Sequence, residues 1–108
     1  MEKNQHTYLL CKKVKFYSFK DETAFFQWIK SISCIEKHEG SGDELYLNLV
    51  NKKLNYNDLD DLIGLLYRYK IDMKQLAQFL TEENKEWFFD NKRAFWHKRV
   101  FGTQKTKP

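Results

Sequence analysis

One proline, four glycines and two cysteines are spread over 108 residues, and each scarcity excludes something. So little Pro and Gly leaves no Pro/Gly-rich linker, and no repeat or low-complexity tract interrupts the chain. The two cysteines, Cys11 and Cys34, fit the cytosol as reduced thiols. No apolar run approaches the roughly 20 residues of a membrane span. The N-terminal stretch MEKNQHTYLLCKKVKF has no signal-peptide core, since LLC is too short. A cytoplasmic protein without membrane association is therefore expected. Residues 91–108 lack acids altogether.

What is present is rich in rings. Aromatic residues make up 17% of the chain, so the core should be built from Phe, Tyr and Trp as much as from aliphatics. The length suits one domain with one core. That domain is expected to span residues 1–102, followed by a disordered tail, TQKTKP, over 103–108, which has no apolar residue. The net charge of +4 conceals a segregation. Residues 1–20 hold five Lys and one Glu (+4), residues 21–90 eight Lys/Arg and fourteen Asp/Glu (−6), and residues 91–108 six Lys/Arg and no acid (+6). An acidic middle between basic ends is not the pattern of a uniformly basic nucleic-acid binder.

Periodicity places the elements. In TYLLCKKVKFY, residues 7–17, Leu10, Val14 and Phe16 share one parity, which predicts a strand. Ser18 with Asp21 offers a capping box, and Phe25, Trp28, Ile29 and Ile32 then follow a helical stripe. Residues 34–38 and 44–50 flank EGSGD and read as a hairpin, with Leu45, Leu47 and Leu49 on its apolar face. Asn55 caps a helix carrying Leu59, Leu62, Ile63 and Leu66, with Asp61, Gly64 and Arg68 on its other side. Asp72 caps a shorter helix with Met73, Leu76, Ala77 and Leu80 facing inward. A last helix is stopped by Gly102. The order β-α-β-β-α-α-α predicts an α+β fold: a small antiparallel sheet of about three strands with three to four helices packed over one face.

Chemistry-bearing clusters are few. The stretch EWFFDNKRAFWHKRVFG, residues 86–102, interleaves six Phe/Trp with five Lys/Arg/His. No ribonucleoprotein signature or Gly-rich loop accompanies these rings, so Trp87, Phe88, Phe95 and Trp96 are expected to close the core. Lys92, Arg93, Lys98 and Arg99 then stand on the solvated side. His6, Cys11, Cys34 and His38 offer two Cys and two His, but His6 and Cys11 have opposite strand parity and no C-x2-C pair occurs, so no metal site is expected. A Cys34–His38 dyad lacks an orienting acid. No catalytic motif, nucleophile elbow or phosphate loop is present, and neither enzyme activity nor a cofactor is expected. Asp58, Asp60 and Asp61 fit helix-start positions. With Glu82 and Glu83 nearby in sequence, the quartet Asp60, Asp61, Glu82 and Glu83 is the candidate partner-binding patch.

The block DDLIGLLYRYKIDMKQLAQFL, then NKEWFF and FWHKRVFG, together with FKDETAFFQWI and the DELYLNL strand, resembles the small immunity proteins of bacterial contact-dependent growth inhibition systems. The likeness covers residues 7–102 and lies in helix and aromatic positions. It implies a cytosolic protein that binds one cognate toxin domain, often a nuclease, and blocks its active site or its access to substrate. It carries over no individual functional residue. Many nuclease inhibitors imitate the acid charge of nucleic acid, whereas this chain is net positive, so either the acidic middle docks alone or the toxin surface is mixed. Nucleic acid is not the expected partner. The alternative is a small nucleic-acid-binding regulator that uses the basic ends and the aromatic tail.

Overall fold

The computed structural model describes residues 7–50 and 53–102; the expected tail, 103–108, lies outside the described residues, as does His6. Strand β1 (Thr7–Lys12), helix α1 (Phe19–Ser31), strands β2 (Ile35–Ser41) and β3 (Glu44–Leu49) and helix α2 (Tyr56–Arg68) are followed by a 3-10 helix (Met73–Phe79) and two short helices, α3 (Lys85–Phe88) and α4 (His97–Phe101). The three strands form one antiparallel sheet in the order β1-β3-β2. This is an α+β fold.

The two long helices start where short polar side chains stop the chain from continuing as strand. Ser18 accepts the Asp21 N–H at 3.1 Å, and the Asp21 carboxylate accepts the Tyr17 N–H at 2.9 Å, so each side chain satisfies a donor at the helix entry. Asn55 accepts the Asp58 N–H at 2.8 Å. From these caps α1 buries Phe25 and Ile29, and α2 buries Leu59, Leu62, Ile63, Leu65 and Leu66. They meet Leu9, Cys11, Leu47 and Leu49 from the sheet in one hydrophobic cluster. Gly64, expected on the solvent side of α2, lies instead beside α1: a Cβ there would stand 3.3 Å from the Trp28 ring. Its lack of a side chain lets Trp28 close the margin of the core.

Three sequence expectations shift, each for a geometric reason. The expected strand through Tyr17 ends at Lys12. Leu9 and Cys11 are buried opposite Leu47 and Leu45, while Leu10 turns to the other face. At Lys13 the backbone enters the left-handed region, φ 51°, which breaks the two-residue alternation and returns Val14 and Phe16 to the core. In the hairpin, EGSGD shrinks to a two-residue turn, Gly42 and Asp43, because Glu39, Gly40 and Ser41 continue pairing with β3. Gly42 has φ 64°, as two-residue hairpin turns require. After Asp72, which caps Lys74 N–H at 3.0 Å, the chain winds as a 3-10 helix. Three residues per turn bury Met73, Leu76 and Phe79 and leave Leu80 exposed.

Two polar side chains, Gln75 and Asn84, hold the irregular parts. Strand β1 is an edge, and Gln75 behaves as a one-residue strand beside it: its oxygen accepts the Leu10 N–H at 2.7 Å and its amide donates to the Leu10 carbonyl at 2.9 Å. Asn84 is buried between the 3-10 helix and α3, where it accepts the Thr81 N–H at 2.8 Å and donates to the Phe79 carbonyl at 2.9 Å. Helix α2 ends in a Schellman motif. The Ile71 N–H reaches the Leu66 carbonyl at 2.9 Å and the Lys70 N–H reaches the Tyr67 carbonyl at 3.3 Å. Lys70 takes φ 58° at the position that glycine usually fills. Among the described residues no helix is long and apolar enough to cross a membrane.

Two stability measurements test this framework. Leu66→Ala, at a fully buried position, should lower the unfolding free energy by about 2–5 kcal/mol; a loss under about 0.5 kcal/mol, the size of surface effects, would mean α2 packs through another face. Lys70→Gly should raise it by about 0.5–1 kcal/mol, relief of left-handed strain exceeding the added chain entropy. A loss there would contradict the assigned helix end.

Candidate docking surface

The ring-rich C-terminal segment divides between inside and outside. Phe88 is wholly buried and Trp96 is 7% exposed, so these two close the core. Their centroids are 5.6 Å apart. Phe95, expected with them, is 63% exposed. It precedes α4 by two residues and points away from the side on which Trp96 and Val100 are buried. Trp87 is half-buried at the boundary. The expectation of a four-ring lid holds for Phe88 and Trp96 and fails for Phe95.

The rings left outside are ordered by one another. Tyr56 on α2 meets Trp87 on α3 edge to face at 4.6 Å, and Tyr67 on α2 meets Phe95 edge to face at 4.7 Å. The Arg99 guanidinium from α4 lies 4.9 Å over the Tyr67 ring. Tyr56 and Tyr67 are eleven residues apart, three helical turns, and so share one stripe of α2. The result is two surface ring pairs about 16 Å apart along α2, one at α3 and one beside α4, which mark out an aromatic strip. Behind it Trp87 stands 6.3 Å from Trp96, which couples the strip to the core.

The four acids proposed from sequence fall around this strip unevenly. Asp60 is exposed and one turn beyond Tyr56, on the same stripe of α2. Asp61 is rotated by about 100° from it and is half-buried. Burial, then the charges of Asp60 and Asp58, push the Asp61 carboxyl above the ordinary aspartate range. Glu82 and Glu83 are exposed in the turn before α3, and Glu83 pairs with Lys53 at 3.2 Å, which ties that turn to the entry of α2. Asp58 is structural: it is buried, and Ser33 Oγ lies 3.0 Å from both of its carboxylate oxygens. Lys92, Arg93, Lys98 and Arg99 are all exposed, as expected.

Cysteine and histidine are drawn into packing. Cys11 and Cys34 are free thiols buried in the core. Burial pushes Cys11 up to about 12, and burial with the neighbouring Asp58 charge pushes Cys34 to about 12; thiols held protonated are poor nucleophiles and poor metal ligands. The His38 ring packs on Phe26 at 5.2 Å. Among the described residues no three His, Cys, Asp or Glu side chains gather as a metal set. His97, unremarked in the sequence, is buried with Nε2 2.7 Å from the Phe89 carbonyl, and so fastens α4 to the end of α3. No family model matches the chain, and neither a curated protein nor a solved structure matches it.

The raised Asp61 carboxyl has a definite pH sign. Its folded pKa lies above the unfolded one, so its contribution to stability is complete at acid pH and falls as pH rises through the carboxylate range. Asp61→Asn should therefore stabilise the protein at neutral pH and make no difference near pH 3, compared by urea unfolding at both. Destabilisation at neutral pH would mean that the Asp61 charge is compensated by a partner.

Proposed function

We propose that the protein is an immunity protein: it binds and neutralises a cognate contact-dependent growth inhibition toxin domain, a nuclease, by stoichiometric protein–protein contact in the cytoplasm. The aromatic strip is the observation that carries this reading. Tyr, Trp, Phe and Arg are the side chains that concentrate binding energy at the centres of protein interfaces. Here Tyr56 with Trp87, and Tyr67 with Phe95 and Arg99, stand in two groups along one stripe of α2, each side chain held by a neighbour. Side chains already ordered lose little freedom on docking, which favours tight association.

The same geometry disfavours base stacking on the aromatic tail. Stacking needs an open ring face; each edge-to-face pair covers one such face with a neighbour's edge, and Arg99 lies over Tyr67. Asp60 lies within the strip and Glu82 and Glu83 beyond its α3 end, where they suit electrostatic steering of a basic toxin surface. Asp61 lies at the flank. Inhibition by contact requires no cofactor and no catalytic group.

The test uses the toxin domain encoded by the reading frame immediately upstream, titrated calorimetrically with the parent protein and with Tyr67→Ala/Phe95→Ala. The parent should bind one to one. The double variant should lose about 30-fold or more in affinity, the equivalent of one interface hot spot, while its melting temperature moves by no more than about 4 °C. Asp60→Lys/Glu83→Lys should slow association at low salt. No binding by the parent, or undiminished binding by the ring variant, would refute the reading.

A further inference from the structure

Residues 13–15 and 68–70 are more than fifty positions apart in the chain, yet they meet at one concavity of about 420 Å³. Lys13, Lys15, Arg68 and Lys70 supply four cations there, and Tyr17 and Tyr69 complete the wall. The single acid lining it, Asp21, is engaged on both oxygens, by the Tyr69 hydroxyl at 3.0 Å and the Tyr17 N–H at 2.9 Å. An adjoining depression shares Lys70 and adds Lys12; Asp72 is in its wall too, with Oδ1 accepting the Lys74 N–H. The cations thus follow a track along one side of the molecule.

Packing does not explain this gathering. Arg68 and Lys70 sit at the C-terminus of α2, where a positive charge is favourable by itself. Lys13 and Lys15 have no helix end to complement. Moreover, Lys13 and Lys70 are the two non-glycine residues with positive φ among the described residues, 51° and 58°. Glycine would adopt either conformation without strain, yet both positions hold a lysine that lines the same concavity.

We propose that this concavity binds a single-stranded nucleic-acid segment, with phosphates against Lys13, Lys15, Arg68 and Lys70 and a base on the ring of Tyr17. Tyr17 is 80% exposed and, two residues on, Phe19 is 81% exposed; among the described residues neither pairs with another ring, and the Lys15 ammonium stands 5.9 Å from the centre of the Tyr17 ring, on one side of it. A cationic groove beside open rings is the arrangement that single strands use. Composition separates the site from the aromatic strip. Lysine is depleted at protein interfaces, where Arg and aromatics are enriched, and it serves phosphate as a point charge without the planar geometry that carboxylate pairing exploits. Three of the four cations are lysines. The inference is independent of toxin docking, and its residues are not those of the strip.

The experiment follows fluorescence anisotropy of labelled decauridylate and of a labelled ten-residue polyglutamate peptide, with the full chain, over a salt series. Decauridylate should bind with an affinity that falls with salt, at a logarithmic slope of about −0.7 per phosphate neutralised. Lys13→Gly/Lys70→Gly, which removes two charges while relieving backbone strain, should weaken binding about tenfold or more and make the slope shallower by about 1.4, two contacts' worth. Tyr17→Ala should weaken binding about fivefold or more, one stacked base, with the slope unchanged. Decauridylate binding that is absent at low salt, or equal in the parent and both variants, would overturn the proposal. So would polyglutamate binding as tightly and responding to the same lysine variants, which would assign the concavity to an acidic protein segment.

Discussion

Phe88 and Trp96 lie against each other beneath the last quarter of the chain, and the rest of the molecule depends on that contact. Helices α3 and α4 have four and five residues, far below the length at which a helix is stable alone. They persist because Phe88, Trp96 and Val100 join the cluster built by α1, α2 and the sheet. The His97–Phe89 hydrogen bond fixes the link between them. Once those inward positions are set, the intervening residues have no freedom of side. Phe95 faces out, and Arg99, exposed and rotated by about 100° from the buried Val100, comes over Tyr67. The exposed strip is therefore a geometric consequence of how the core is closed.

The same economy shapes the other flank of α2. Its C-terminal turn needs a left-handed residue to end, and the chain after β1 needs one to turn back onto the core. Lysine occupies both places. Arg99 stands between the two surfaces, stacked over Tyr67 on one side and lining, with Lys70, a small depression on the other.

Much of this fold was legible in the sequence because its signals are local. Ser18 and Asn55 sit one residue before apolar stripes of the right period, and the caps form as the pattern requires. What escaped was decided by contacts across the chain or by single backbone angles. Lys13 reverses strand parity through one positive φ, which no neighbouring residue type announces. A spacing of three and a spacing of three or four are hard to separate over seven residues, so the pattern predicts an ordinary helix with Leu80 inside where the chain winds as a 3-10 helix and buries Phe79. The structural roles of Gln75, Asn84 and His97 depend on backbone groups that only the fold brings near. Tyr56 and Tyr67 carried a weak signal, an eleven-residue spacing along the polar side of α2. The cationic concavity carried half a signal: Lys13 and Lys15 lie in the basic N-terminal segment, whereas Arg68 and Lys70 lie in the acidic middle.

The central claim is that the rings excluded from the core form the docking surface. Hydrogen–deuterium exchange of the protein, alone and saturated with the toxin domain, tests it most directly. Slower exchange should appear in α2 between residues 56 and 67 and across residues 83–99, with the β2–β3 hairpin unchanged. Protection confined to the hairpin or to the open face of the sheet, with α3 and α4 exchanging as in the free protein, would contradict the account.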